Sequence, residues 1–247
     1  MIHRFESIDS TNNHAKLLAQ QGAPHGTVVI ADRQTGGRGR LGRSFHSPAG
    51  VGLYLSMILR PQCKANALMH LTCAAAVAAC AAIKETTGID AGIKWTNDLV
   101  FGKQKLGGIL TELGFQGDTI DYAVIGIGIN CNHLSNDFPP ELQDMATSLA
   151  MVRGTPISKN ALESSLIQHL LSISHGLLTD KNQIMEQYRE NCITLGKEVS
   201  IAQGDSVFHA TALDIDEDGG LVVQLPDGNT KTVAFGEVSV RGMYGYL

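Results

Sequence analysis

Residues Thr27 to Leu59 read TVVIADRQTGGRGRLGRSFHSPAGVGLYLSMIL. Two apolar, β-branched runs, Thr27 to Arg33 and Val51 to Leu59, are predicted strands. Between them, from Gln34 to Gly50, hydrophobic periodicity disappears. Arg38, Arg40 and Arg43 place three positive charges within six residues, and Gly36, Gly37, Gly39 and Gly42 remove the side chains between them. Glycines let backbone N–H groups converge on an oxyanion, and arginine forks clamp phosphate or carboxylate oxygens. The segment reads as an anion-binding loop held by two strands. An RNA-contacting Arg/Gly loop and an ordinary solvated loop are the competing readings.

Upstream, Ser10 to Gln21 is a predicted short helix, capped by Ser10 and stopped by Gly22. Downstream, a long helix is predicted over Ala65 to Glu85, ended by Gly88. Strands follow at Ala91 to Trp95, Leu106 to Leu113 and Thr119 to Ile129, the last two joined by a hairpin turn at Gly117-Asp118. Ser158 caps a helix whose Leu162, Leu166, Leu170, Ile173 and Leu177 make one apolar stripe, and a shorter helix is expected near Asn182 to Glu190. From about Gly196 the pattern changes to five short strand-like runs: KEVSIA, VFHATALDI, LVVQL, TKTVAF and VSVR. Turn signals separate them at Gly204-Asp205, Asp218-Gly219-Gly220 and Asp227-Gly228-Asn229. Five short strands in so little chain predict a small barrel, and the expected division is 1–195 and 196–247.

Of the 247 residues, 43% are hydrophobic and 17% charged, which is too apolar for a disordered chain. A formal charge of -5 argues against a general duplex-DNA binder. The start, MIHRFESIDSTNN, lacks the apolar core of a signal peptide. The apolar run from Leu71 to Ile83 is 13 residues long and mostly Ala, too short for a membrane span, so a buried helix is expected. The cysteines (Cys63, Cys73, Cys80, Cys131 and Cys192) are odd in number and form no CxxC, which predicts reduced, mostly buried thiols and a cytoplasmic protein. Cys73 and Cys80, seven apart, should share a helix face.

Neither a Walker loop nor a dinucleotide fingerprint is present; GIGIN, Gly126 to Asn130, ends a strand and opens no helix. No Gly-x-Ser-x-Gly elbow supports a serine hydrolase. The nine histidines are scattered, and His169 and His175, six apart, share no ligand face, so no metal motif is seen. KWTND, Lys94 to Asp98, holds the only tryptophan. There, Asn97 and Asp98 either end the strand or turn Asp98 towards a cation or polar ligand, and Lys94 could lie on an exposed face. In KLGGIL, Lys105 to Leu110, Lys105 either snorkels to solvent or donates to a carboxylate or phosphate. Gly107-Gly108 suits the close approach of a ligand or chain. By elimination, the loop and the strand ends suggest binding of a phosphorylated small molecule.

Taken in order, STNN at Ser10, QTGGRGRLGR at Gln34, GLYLSM at Gly52, KWTND at Lys94, KLGGIL at Lys105, GIGIN at Gly126 and FGEVSVR at Phe235 resemble the biotin–protein ligase family, also called biotin–[acetyl-CoA-carboxylase] ligase. The resemblance covers nearly the whole chain. It implies an α+β fold with a central mixed β-sheet flanked by helices, like class II aminoacyl-tRNA synthetases and lipoate ligases, and a small C-terminal SH3-like β-barrel. It implies that biotin and ATP form biotinyl-5'-adenylate, with Mg2+ accompanying ATP. The biotinyl group then passes to one lysine of the biotin carboxyl carrier protein domain of acetyl-CoA carboxylase.

Residue by residue, the resemblance implies biotin-binding roles for Ser10, Thr11, Asn12, Gln34, Gly37, Arg38, Gly39 and Lys105. It implies ATP or adenylate contacts for Arg38, Arg40, Arg43, Trp95, Asn130 and Arg241. Arg38 and Lys105 would offset the repulsion between substrate carboxylate and α-phosphate. Asp98 is a candidate for receiving or orienting the target lysine's proton, and for a magnesium contact. Thr96 stands where the family usually has Pro, and Phe45 where it often has Trp, so a change in turn rigidity is expected without loss of chemistry. Many bacterial relatives carry an N-terminal winged helix-turn-helix; here only a few residues precede STNN, so no DNA binding is expected. Dimers by edge pairing and monomers both occur among relatives, which leaves a homodimer open. A lipoate or other acyl-protein ligase on the same fold and a non-catalytic RNA-binding module are the alternatives, the latter giving Lys105 no role.

Overall fold

The computed structural model describes residues 1–203, 206–234 and 237–240. The chain begins with β1 (Ile2–Ile8), α1 (Thr11–Gln20), β2 (Thr27–Gln34) and β3 (Gly52–Leu59). There follow α2 (Leu71–Thr87), β4 (Gly92–Lys94), β5 (Asp98–Phe101), β6 (Gln104–Gln116) and β7 (Thr119–Asn130). Three helices, α3 (Leu149–Arg153), α4 (Lys159–Gly176) and α5 (Lys181–Asn191), come next. The last described elements are β8 (Glu198–Gln203), β9 (Ser206–Ile215), β10 (Leu221–Gln224), β11 (Thr230–Val233) and β12 (Glu237–Val240).

The first seven strands form one sheet in the order β1-β2-β3-β7-β6-β5-β4. Only β1 and β2 run parallel; the other neighbours are antiparallel. The expected mixed sheet is therefore present. Helices cover both faces, which is why β2 and β3 read as unbroken apolar runs rather than alternating ones. Val29 and Ile58 pack with Ala15 and Ala19 of α1 on one face. Val28, Leu55 and Met57 join the alanines of α2 and the Leu162, Leu166 and Leu170 stripe of α4 on the other.

The α2 helix needs its small side chains because it is buried nearly all round, with Cys73 and Cys80 both inside. Gly88 ends it in the left-handed conformation (φ 75°), donating its N–H to the Lys84 carbonyl. The predicted helix from Ala65 begins instead as a 3-10 turn, Ala65–Leu68, before α2. The stretch Ala65–Thr87 is long and apolar enough to cross a bilayer, but 72% of its apolar window is buried inside the protein. Burial in the core accounts for its composition. Two strands went unanticipated. β1 is a mixed edge strand, and β5 lies in what reads as a turn after Trp95.

The C-terminal strands correct one expectation. β8 to β12 make an antiparallel sheet in the order β11-β10-β9-β8-β12, and no pairing joins β11 to β12 among the described residues. The sheet is open, so the expected SH3-like barrel is not formed. Strand number is a local property, whereas closure requires the two outermost strands to meet. β11 has the character of a free edge: Thr230, Lys231 and Thr232 are exposed and Val233 alone is buried. Val199, Ile201, Ala212, Leu221 and Val223 of this sheet belong to the same apolar cluster as α2 and the central sheet. The Trp95 indole N–H donates to the Gly219 carbonyl at 2.8 Å, tying the two sheets together.

Candidate active site

The middle of the central sheet carries a cavity of about 180 Å³. Its floor follows from register. Ser56 of β3 pairs with Gly126 of β7, which pairs with Leu110 of β6; one pleat on, Tyr54, Gly128 and Gly108 align in the same way. Gly126 and Gly128 remove side chains where other groups come close. A Cβ on Gly126 would overlap the Asn12 carboxamide, and one on Gly128 would come within 2.5 Å of the Phe45 ring. GIGIN is thus the floor of a cavity inside a strand, not a phosphate loop.

Over that floor sits the start of α1. Gln34 Oε1 accepts from the Thr11 N–H at 2.8 Å and the Thr11 hydroxyl at 3.0 Å. The Gln34 amide donates to Ser47 Oγ at 3.0 Å. The Ser56 hydroxyl reaches Thr11 Oγ1 at 2.8 Å and Asn12 Oδ1 at 2.6 Å. Asn12 donates to the Leu110 carbonyl at 3.2 Å and to the Glu112 carboxylate at 2.9 Å. Ser10, Thr11, Asn12 and Ser56 are all buried, so these polar groups must be satisfied by one another or by a ligand.

The Gly/Arg loop closes one side. An antiparallel bridge joins Arg38 to Ser44, around a 3-10 turn at Arg40–Gly42. Arg38, Gly39, Arg40 and Arg43 line the cavity with Lys94, Trp95, Asp98 and Lys105. Five cationic side chains therefore face it against one carboxylate, Asp98, among the described residues. Such a cavity favours an anionic ligand. The Lys105 ammonium donates to Asp98 Oδ1 at 2.5 Å, and Arg40 donates to Asn97 Oδ1 at 3.0 Å. Arg38 Nη1 donates to Asn13 Oδ1 at 2.9 Å and Glu112 Oε1 at 3.1 Å.

Of the residues picked out in the sequence, Ser10, Thr11, Asn12, Gln34, Arg38, Gly39, Arg40, Arg43, Trp95, Asp98 and Lys105 come together here. Gly37 lies behind the lining, where a Cβ would come within 2.6 Å of Ser47 Oγ. Asn130 is buried at the end of β7 and donates to the carbonyls of Thr147 at 3.0 Å and Lys105 at 3.4 Å, which braces the Lys105 strand from outside the cavity wall. Arg241 lies outside the described residues. Lys94 is not on an exposed face; it is buried and lines the cavity. The Trp95–Thr96 peptide, at the position of the family's usual Pro, is cis.

Ser56 and Glu112 were not singled out in the sequence, Asn97 was read only as a strand-end or turn residue, and Phe45 only as a departure from the family's Trp. A signal existed for Glu112: with a period of two it shares a face of β6 with Gly108 and Leu110. Burial raises its carboxyl pKa, but hydrogen bonds from Lys16 and Asn12 and the charges of Lys16 and Arg38 outweigh this and hold it below its ordinary value. No group of three or more His, Cys, Asp or Glu suited to a resident metal occurs among the described residues.

This geometry sits in a chain with clear relatives. Residues 4–130 match the model of the biotin/lipoate A/B protein ligase family. The chain belongs to that family. Residues 194–241 match the biotin protein ligase C terminal domain, which places this family member among the biotin protein ligases. It is 38% identical over 233 residues to the bifunctional ligase/repressor BirA of Bacillus subtilis, with 91% of this chain and 69% of that protein covered. It is 29% identical to the biotin–[acetyl-CoA-carboxylase] ligase of Mycobacterium tuberculosis, covering 93% of this chain and 85% of the relative. Among solved structures, the biotin protein ligase of Aquifex aeolicus in complex with biotin and ATP superposes with a TM-score of 0.80 at 30% identity, covering 97% of this chain and 98% of that one.

Proposed function

We propose that this family member joins biotin to ATP in the cavity between the Gly/Arg loop and the central sheet, and passes the biotinyl group from biotinyl-5'-adenylate to one lysine of a biotin carboxyl carrier protein domain. ATP- and biotin-dependent ligation is the activity of the biotin protein ligases to which it belongs. One observation carries the reading for this chain: Arg38 and Lys105, from separate segments, line a single cavity over a floor of glycines.

In the first step a biotin carboxylate oxygen attacks the α-phosphorus of ATP, and pyrophosphate leaves. Two anions must approach, and fixed cations lower that barrier most where water is excluded. Lys105 is the group assigned to the carboxylate and α-phosphate, with Arg38, Arg40 and Arg43 closing from the loop. The buried amide and hydroxyl groups of Thr11, Asn12, Gln34 and Ser56 suit the polar ring of biotin, with Ser10 at the same corner. Trp95, closed off by its bond to Gly219, forms a wall for the nucleotide.

In the second step the target lysine attacks as a neutral amine and AMP leaves. Asp98 is the carboxylate available to orient or receive its proton. Were Mg2+ bound with the nucleotide, phosphate oxygens and the Asp98 carboxylate would hold it, and it would supply charge neutralisation on the phosphates. The acceptor we assign is the carrier domain of acetyl-CoA carboxylase, in the cytoplasm, where the free thiols of all five cysteines would persist. The direct test is incubation with ATP, biotin and purified carrier domain, followed by mass spectrometry. A gain of one biotinyl group on one carrier lysine is expected; an unmodified carrier would reject transfer.

A further inference from the structure

Glu112 lies outside the cavity lining, yet it touches both sides of the site. Its carboxylate accepts from Asn12 Nδ2 at 2.9 Å, Lys16 Nζ at 2.7 Å and Arg38 Nη1 at 3.1 Å. Asn12 and Lys16 belong to α1, Arg38 belongs to the Gly/Arg loop, and Glu112 itself is on β6. One carboxylate thus joins three segments that sequence separates by up to 100 residues. Its side chain is only 20% exposed, against 42% for Arg38.

Resting on the ligase reading above, we propose that Glu112 is a positioning residue that couples the Asn12 corner to the Arg38 loop and so holds the loop over bound adenylate. Three features carry this. The contacts of Arg38 to Glu112 and Asn13 all use Nη1, and Arg38 is among the residues that line the cavity, so a hold on that one nitrogen fixes part of the cavity wall. The Asn12 carboxamide is shared between Glu112 and Ser56, so the anchor of the loop and the orientation of Asn12 depend on one group. Lys16 satisfies the second side of the carboxylate and keeps it ionised at the edge of the sheet. A carboxylate placed only for surface solubility would not take three donors from two segments distant in sequence.

The test is retention of enzyme-bound adenylate, read as the rate at which biotinyl-5'-AMP escapes into a hydroxylamine trap, in a double-mutant cycle of Glu112→Gln and Arg38→Met. E112Q keeps the side-chain volume and removes the charge. Expected is escape faster by about tenfold, the effect of losing one coupled charged contact. Expected too is a raised KM for biotin with the KM for ATP little changed, a split that general destabilisation would not produce. In the Arg38→Met background E112Q should add almost nothing. Should E112Q fail to fold, Glu112→Asp, which keeps the charge but withdraws it by one methylene, must still speed escape. Unchanged retention in the folded variant, or a full additional effect in the Arg38→Met background, would overturn the role of Glu112. A wild-type protein that makes no adenylate would instead reject the ligase reading itself.

Discussion

The Lys105 ammonium and the Asp98 carboxylate lie 2.5 Å apart on the facing strands β6 and β5, at the wall of the cavity. The side chain of Lys105 is 31% exposed, so solvent or a ligand still reaches it. A substrate carboxylate or phosphate entering here must share the lysine with Asp98. Lys105→Ala should therefore cost adenylation about 2 to 5 kcal/mol, the scale of removing one partner from a fixed charged contact. Asp98→Asn should slow adenylation roughly tenfold by loosening Lys105. Transfer should slow as well, since the same carboxylate is assigned to the target lysine; single-turnover rates of the two steps check this, and a fall confined to transfer would show that Asp98 does not hold Lys105 for the first step.

Gly128 faces the Phe45 ring across the cavity floor. Gly128→Ala should push Phe45, and the loop that carries it, outward. The cost to stability should be about 1 to 3 kcal/mol, the usual range for overpacking. Biotin affinity should fall with it. Calorimetry checks both, and unchanged binding would mean that Phe45 does not shape the site.

His133 is buried and stacked on Phe138 at 4.9 Å, and neither ring nitrogen has a protein partner among the described residues. Burial pushes its pKa down to about 4. The unfolded chain takes up this proton near pH 6.5, before the folded one does, so stability is fully present above that pH and falls between pH 6.5 and about 4. The loss should reach about 3 kcal/mol. Urea unfolding at pH 7.5 and pH 5 should show about 2 kcal/mol of it, and His133→Phe should flatten the difference. A wild-type protein equally stable at both pH values would contradict this.

Trp95→Phe keeps an aromatic ring but leaves the Gly219 carbonyl without its donor. A loss of about 1 to 3 kcal/mol is expected from the unsatisfied carbonyl. Hydrogen exchange should quicken at 218–220 more than in β3. Uniform protection would mean that this bond does not hold the C-terminal sheet in place.

Much of this was legible in the residues. TVVIA and GLYLSMIL are buried on both faces and read as strands without help. The α2 alanines and the α4 leucine stripe gave helices for the same reason. β5 was hidden because Asn97 and Asp98 have turn chemistry, and what makes Asp98 a strand residue is its distant pairing with Gly108. The C-terminal sheet failed in the opposite sense: its strands were visible one by one, but openness depends on whether β11 and β12 meet, which no local pattern encodes. In the site, the Arg38 loop, Lys105 and the Ser10–Asn12 corner stood out by charge and polarity beside apolar runs. Ser56, Asn97 and Glu112 did not, since one polar residue in a strand or a turn is ordinary until its partners are seen.

On the proposed function, the loop arginines and Lys105 make a biotin carboxylate and a nucleotide phosphate tolerable neighbours. Exchange of labelled pyrophosphate into ATP tests it without any carrier protein. Exchange that requires biotin and collapses in Lys105→Ala is expected; exchange supported by lipoate but not by biotin, or exchange at the full rate in that variant, would overturn this role for the cations.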